Sequence, residues 1–421
     1  MRIVVVGAGI IGLATAFELD RRGHDVVVFD PEPAFGASRA AAGMLAAVTE
    51  RTWGQDALAP LLAASAERYP AFVDALERAT GRRVGYRRTA TMALGVDAAD
   101  RAALAELAAL HGDRAERVTG SRARDLEPAL GPAVSGGVLV QGDHQVDPRR
   151  VTAALRETLG ARVRRETVVA VRGRSDARDR AGFGEGPGFG DRAGFDDRAG
   201  FGDRAGVELA SGERVPADAV VVAAGLATGR IRGIPALPLR PVWGDILRLR
   251  VPERLRPLLT HTVRALVRGE SVYLVPREDG ELVLGATVRE GGVEGVQAGG
   301  VLALLRDAER ILPGIAECEL VEVLARARPG SPDAIPLLGT ASAGVVIATG
   351  FDRHGVLLTP LGAALAADLA EGRPIDPDVA AALDPFRFAA APEPLRSALA
   401  GALAGAGALP DLSAPPQEGR R

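Results

Sequence analysis

Residues 1–30 read Met1-Arg-Ile-Val-Val-Val-Gly7-Ala8-Gly9-Ile10-Ile11-Gly12-Leu-Ala-Thr-Ala-Phe-Glu-Leu-Asp-Arg-Arg-Gly-His-Asp-Val-Val-Val-Phe-Asp30. The apolar, β-branched run Ile3 to Val6 predicts a strand that enters Gly7-x-Gly9-x-x-Gly12. Helical periodicity follows to about Arg22, and a second strand, Val26 to Phe29, ends on an acid. Strand, glycine turn, helix, strand and terminal acid together form the βαβ dinucleotide fingerprint. Gly7 is expected to make the tight turn, Gly9 to leave room for the pyrophosphate, and Gly12 to let helix and strand pack closely. The helix N-terminus then points free N–H groups at phosphate. Asp30 stands where a carboxylate accepts ribose hydroxyls. The motif does not separate FAD from NAD.

Working outward, residues 36–49 are small and apolar with almost no bulk, and lack the polarity of a plain surface loop. Small residues let backbone approach something flat and large, so this segment is expected to contact the cofactor. Two later stretches, Ala219 to Gly225 and Val345 to Gly350, are buried-type parallel strands ending in small residues plus glycine. Their placement predicts one nucleotide-binding sheet assembled from separated parts of the chain. Helices are predicted over Asp56 to about Thr80, Ala98 to Leu110, Pro148 to about Thr158 with Asp147 as N-cap, and Leu302 to Ile311. Leu126 to Leu130 reads as a short helix or turn. Strand patterns cover Arg87 to Gly95, Val138 to Gln141, Arg162 to Val171, Val207 to Leu209, Gly244 to Leu249, His261 to Val267, Ser271 to Val275, Glu281 to Thr287 and Glu319 to Arg326. An apolar helix follows Leu358-Thr-Pro360, with Thr359 as its candidate cap.

Composition narrows the function. With 421 residues, two domains are the natural expectation. A formal net charge of −3 gives no basic surface for nucleic acid or an anionic membrane. The first strand begins at residue 2, which leaves no room for a signal peptide, and no apolar run has the length of a spanning helix. A reducing, cytoplasmic setting is therefore expected. Cys318, the one cysteine, excludes an intrachain disulfide, and the five histidines form no metal-binding spacing, so no metal is expected. Residues 174–206 contain a six-residue repeat, Gly-Phe-Gly/Asp-Asp-Arg-Ala, and are expected to be a flexible insertion. The Ala/Pro/Gly-rich tail, 389–421, is expected to be mobile.

The chain resembles the glycine oxidase (thiamine-biosynthesis) branch of the FAD-dependent D-amino-acid oxidase family. The resemblance is carried by Gly7-Ala-Gly-Ile-Ile-Gly12, Gly36-Ala-Ser-Arg-Ala-Ala-Ala-Gly-Met-Leu45, Gly85-Tyr-Arg87, Val146-Asp-Pro-Arg149, Tyr273-Leu-Val-Pro-Arg277, Gly285-Ala-Thr287, Arg328-Pro-Gly-Ser-Pro-Asp333, Pro336-Leu-Leu-Gly339, and Ala348 through Leu358. It implies an α/β plus α+β fold: a Rossmann-like FAD-binding domain of glutathione-reductase type (1–50, 146–230, 326–388) and a substrate domain on a large mixed or antiparallel sheet (51–145, 231–325). It implies non-covalent FAD, since no cysteine aligns with a flavin-attachment position. The cofactor-binding set it implies is Gly7, Ala8, Gly9, Ile10, Ile11, Gly12, Asp30, Ser38, Arg39, Ala41, Ala42, Gly43, Met44, Gly225, Gly350, Gly355, Val356, Leu357 and Leu358.

By the same resemblance Arg328 pairs with the substrate carboxylate, Tyr273 touches that carboxylate, Arg353 stands near flavin and substrate, and Val288 lines a small apolar pocket. The implied reaction is oxidative deamination of glycine, or of sarcosine or small D-amino acids, with molecular oxygen as acceptor and thiamine thiazole synthesis as setting. A homo-oligomer is compatible with it. Two departures stand out: Gly350-Phe-Asp-Arg-His-Gly355 replaces the usual Gly-His-Tyr/Phe-Arg-Asn-Gly, and Asp245 replaces a common glutamine.

The chemistry suits these residues. The α-carbon must be held over flavin N5, and arginine's rigid fork grips a carboxylate bidentately. N–H groups at Gly355 to Leu358 face charge gathering on the reduced ring. Two further readings stay open from sequence: a D-amino-acid dehydrogenase with another electron acceptor, and a non-catalytic flavoprotein subunit.

Overall fold

Strand Arg2–Val6 is buried from Ile3 onward and pairs in parallel with Asp25–Phe29 on one side and Ala219–Val222 on the other. A strand covered on both faces reads as a continuous apolar run, which is what Ile3-Val-Val-Val6 is. The computed structural model describes residues 1–50, 55–174, 201–291 and 293–388. Among these, the sheet has six strands in the order Leu337–Ser342, Val345–Thr349, Ala219–Val222, Arg2–Val6, Asp25–Phe29, Val163–Arg164. All neighbours are parallel except the antiparallel pair Leu337–Ser342 and Val345–Thr349. One nucleotide-binding sheet is thus built from chain-distant segments.

The helix Ile10–Arg21 packs against Thr359–Ala370 and Pro148–Leu159. The latter starts as expected, with the Asp147 carboxylate accepting the Arg149 and Arg150 N–H groups and Pro148 in the first turn. Helix Leu58–Thr80 buries Leu58, Leu61, Leu62, Tyr69, Val73 and Leu76 in the same core. The sequence reading assigns 51–80 to the second domain, yet the apolar face of this helix packs on the nucleotide-binding half, each fully buried leucine contributing roughly 1.5–3 kcal/mol.

Among the described residues the second sheet has nine strands, mostly antiparallel, and centres on Arg240–Arg250, Glu270–Pro276, Glu281–Gly285 and Thr262–Val267. Its edge strand Glu319–Gly330 pairs along the whole of Arg240–Arg250. The boundary expected at 326 falls inside that edge strand. Arg328 consequently rides on the second sheet. Helix Ala298–Ile311 covers one face through Leu304, Ala308 and Ile311.

Several elements differ from expectation. The single strand expected over Arg162 to Val171 is two, Val163–Arg164 in the six-stranded sheet and Val168–Arg172 in a separate three-stranded sheet with Ala205–Leu209 and Arg214–Ala217. The charged run Arg164-Arg-Glu166 marks the exit between them, with Arg164 paired to Glu166 and Glu213. The strand expected from Arg87 begins only at Thr91. A helix, Gly120–Leu126, leads into the turn expected at Leu126 to Leu130, which the Leu130 N–H closes by donating to Glu127 O at 3.0 Å. Thr359 does not cap its helix: Leu358 occupies the cap, and the Thr359 hydroxyl donates to Gly355 O at 2.8 Å. Of the insertion expected over 174–206, residues 175–200 lie outside the described residues. Phe201 to Gly206, however, belong to the body: Phe201 is buried against Gly206 between the guanidinium groups of Arg172 and Arg214, and Ala205 opens a strand. The tail 389–421 also lies outside the described residues. Met1–Pro385 form one compact unit, and the chain from Phe386 a second, of which only 386–388 are described. No helix among the described residues is long and apolar enough to cross a membrane.

Candidate active site

The glycine turn after the first strand carries the geometry its spacing predicts. Gly7 has φ of +103°, its N–H donates to Phe29 O at 2.8 Å, and a Cβ there would collide with the backbone at Ala223 and Ala224. A Cβ on Gly12 would overlap Gly7 O, so only glycine lets the helix sit this close to the turn. Gly9 opens onto a cavity of about 1120 Å³, with only Ser38 Oγ near it on that side, at 3.5 Å from where a Cβ would stand. Ser38 reaches the same helix start, its Oγ accepting the Ile10 N–H at 2.9 Å.

Of the expected cofactor-binding residues, Gly7, Gly9, Ile10, Ile11, Asp30, Ser38, Ala41, Ala42, Gly43, Met44, Gly225, Gly355 and Val356 line this cavity. Ala8 and Gly12 are buried behind the turn, and Leu357 and Leu358 are buried in the core. Gly350, at φ of +71°, packs against Leu337, although Thr349 and Phe351 on either side of it reach the cavity. The Arg39 side chain turns away to pair with Glu322 at 3.1 Å. Asp30 is partly occupied: its carboxylate accepts the N–H groups of Ala8 at 2.6 Å and Glu32 at 2.8 Å. Each carboxylate oxygen keeps a second lone pair. Glu32, beside it, also lines the cavity and was not singled out from sequence.

The second sheet supplies the other wall. Arg328, opposite Val242 in the strand register, lays its guanidinium over Gly244, where any Cβ would stand 2.6 Å from it. Tyr273, opposite Gly285, likewise lies over a position that only glycine leaves open. Burial raises the Tyr273 phenol above its ordinary range despite the nearby Arg328 charge, so the hydroxyl stays protonated and can both donate and accept. Arg328 Nη1 is buried with no hydrogen-bond partner among the described residues. Val288 lines the mouth and is 72% exposed. Arg353 is exposed on the cavity wall, with Nη2 donating to Glu50 O at 3.2 Å.

Sequence reasoning missed the cluster beside it. Glu50 lines the cavity, accepts from Arg264 Nη1 at 2.5 Å and lies 3.4 Å from His354 Nδ1. Burial pushes its carboxyl up, but Arg264, His354 and Arg353 outweigh this and hold it at about 2, an anion throughout the physiological range. The available signal was an acid closing the uncharged run 41–49. A buried guanidinium, Arg277, ties the walls together by donating to Gln145 Oε1 at 2.8 Å, Val146 O at 3.0 Å and Ala42 O.

A family model described as FAD dependent oxidoreductase matches residues 2–369. The chain belongs to the FAD-dependent oxidoreductase family. It is 32% identical over 383 residues to a glycine oxidase of Geobacillus kaustophilus (strain HTA426), covering 88% of this chain and 92% of that one. It is 30% identical over 380 residues to the bifunctional protein ThiO/ThiG of Trichormus variabilis, covering 89% of this chain but only 53% of the relative. The crystal structure of glycine oxidase from Geobacillus kaustophilus superposes with a TM-score of 0.77 at 29% identity, over 91% of this chain and 98% of that one. The family's cofactor is FAD, and the cavity fits it: a glycine cradle at a helix N-terminus, an acid-bearing strand end, and room for a dinucleotide. Cys318 is half-buried in the second core and does not line the cavity, in keeping with non-covalent binding in this oxidoreductase.

Proposed function

We propose that the chain catalyses oxidative deamination of glycine, with sarcosine and small D-amino acids as further candidate substrates. The overall reaction is glycine plus oxygen and water to glyoxylate, ammonia and hydrogen peroxide, and the sequence resemblance places it in thiamine thiazole synthesis. The observation that carries this reading is Arg328, which lines one cavity with the glycine cradle and whose Nη1 is a buried donor with no partner among the described residues. An unpaired buried donor is costly, and a carboxylate relieves that cost while fixing the ligand's orientation. Tyr273, neutral and in contact with Arg328, shares the carboxylate. Gly355 and Val356, just ahead of helix Thr359–Ala370, line the cavity, where free N–H groups at a helix start favour negative charge. Bound FAD supplies the two-electron acceptor. On the substrate, the ammonium first loses a proton to water; the bond from Cα to hydrogen then breaks, the hydrogen leaving with its electron pair, the nitrogen lone pair closes to the imine, and water hydrolyses it. Arg353, braced on the Glu50 backbone, adds positive charge at the same wall.

Anaerobic addition of glycine to the flavin-loaded chain should bleach the visible band, and air should restore it with release of peroxide. Bleaching without peroxide would assign a dehydrogenase. No bleaching with glycine, sarcosine, D-alanine or D-proline would overturn the reading.

A further inference from the structure

The turn Asp352–His354 packs against the Glu319–Gly330 strand that carries Arg328. Asp352 holds φ of +43°, a left-handed backbone that side chains rarely adopt outside asparagine and aspartate. Asp352 lines the cavity, and its Oδ1 is buried with no hydrogen-bond partner among the described residues. The other acids on the wall are engaged or distant. Glu50 is held by Arg264, Glu290 is paired with Arg240 at 3.0 Å, and Glu32 stands beside Asp30 at the glycine cradle. Two residues of one cavity wall, on elements that touch, therefore carry orphaned polar atoms of opposite charge: a guanidinium nitrogen of Arg328 and a carboxylate oxygen of Asp352, neither with a partner among the described residues.

We propose that the Asp352 carboxylate receives the substrate's ammonium group, so that the amino acid is held as a zwitterion between Arg328 and Asp352. The proposal rests on the functional reading above and adds a specificity-determining residue to it. A buried acceptor without a donor is satisfied by a cation bearing N–H groups, and an α-amino acid is the small ligand that brings such a cation together with a carboxylate. Primary and secondary amines keep at least two N–H donors when charged. A trimethylated ammonium keeps none, and glycine betaine should not compete with glycine.

The test uses the full chain loaded with flavin. Visible-absorbance titrations without oxygen compare 2-aminoisobutyrate, which has no α-hydrogen to lose, with isobutyrate, which lacks only the ammonium. The wild type should bind the amine-bearing acid roughly 10- to 100-fold more tightly. Asp352→Asn keeps the size and the left-handed tolerance of the residue; it should weaken the amine ligand by that factor and leave isobutyrate within about twofold, with flavin retained. Asp352→Glu should recover part of the difference. Unchanged discrimination in Asp352→Asn, an equal loss for both ligands, or no binding by either overturns the proposal. Discrimination that depends on Asp352 in a chain whose flavin glycine does not bleach would overturn the functional reading and leave this one standing. Bleaching by glycine with discrimination unaffected by Asp352→Asn would do the reverse.

Discussion

Arg328 is held at the cavity by what is missing beneath it. Gly244 has no side chain, and the guanidinium occupies that space with one nitrogen unpaired. Arg328→Ala should raise the glycine concentration for half-maximal rate about 100-fold or more while FAD remains bound, since it removes a charge-assisted fork from a dry site. Steady-state kinetics beside the 450 nm absorbance of the purified protein checks both parts. Glu50 gives a pH signature. Its folded pKa lies below the ordinary value, so its stabilisation is complete above about 4.5 and is lost as pH falls toward about 2. Glu50→Gln should therefore cost on the order of 3 kcal/mol at neutral pH, and its unfolding curve should converge on the wild type's near pH 2. Denaturant unfolding at stepped pH measures the difference; parallel curves would disprove the assignment.

At the scale of elements, the glycine turn and the helix Ile10–Arg21 act as one unit because Gly12 sits on Gly7 O. Gly12→Val should force the helix off the turn, with loss of flavin uptake and a lowered thermal midpoint, read from the visible-to-280 nm absorbance ratio and a melt. The first βαβ unit was legible in sequence because its glycines, β-branched runs and terminal acid are local signals. The two strands between Arg162 and Arg172 were not, because an apolar run does not say which sheet will claim it. Nor does periodicity say which core helix Leu58–Thr80 faces: its apolar stripe would suit either.

For the molecule as a whole, Phe201 belongs to the folded body although it stands in the expected insertion. Replacing residues 182–200 by a short Gly/Ser linker should leave the rate of flavin reduction by glycine within about twofold, as no residue assigned to cofactor or substrate lies in that stretch of sequence. Phe201→Ala, one residue further on, should cost roughly 3–5 kcal/mol of stability, because that buried ring packs beside Gly206 on the three-stranded sheet, between the Arg172 and Arg214 guanidinium groups. A destabilising linker variant, or a neutral Phe201→Ala in chemical denaturation, would move the boundary.

Read alone, the amino-acid order determined the dinucleotide cradle, a local motif, and the presence of a second β-rich part, a run of alternating strands; the candidate standing of Arg328, Tyr273 and Arg353 came from the family resemblance. Only tertiary structure decided that Arg328 sits on the second sheet, that Glu50, Arg264 and His354 form a charged cluster, and that Asp352 shares a cavity with Arg328. Glu50 and Arg264 are 214 residues apart in number and 2.5 Å apart in space. Charge pairing acts through distance in the folded chain, and sequence spacing carries no record of it.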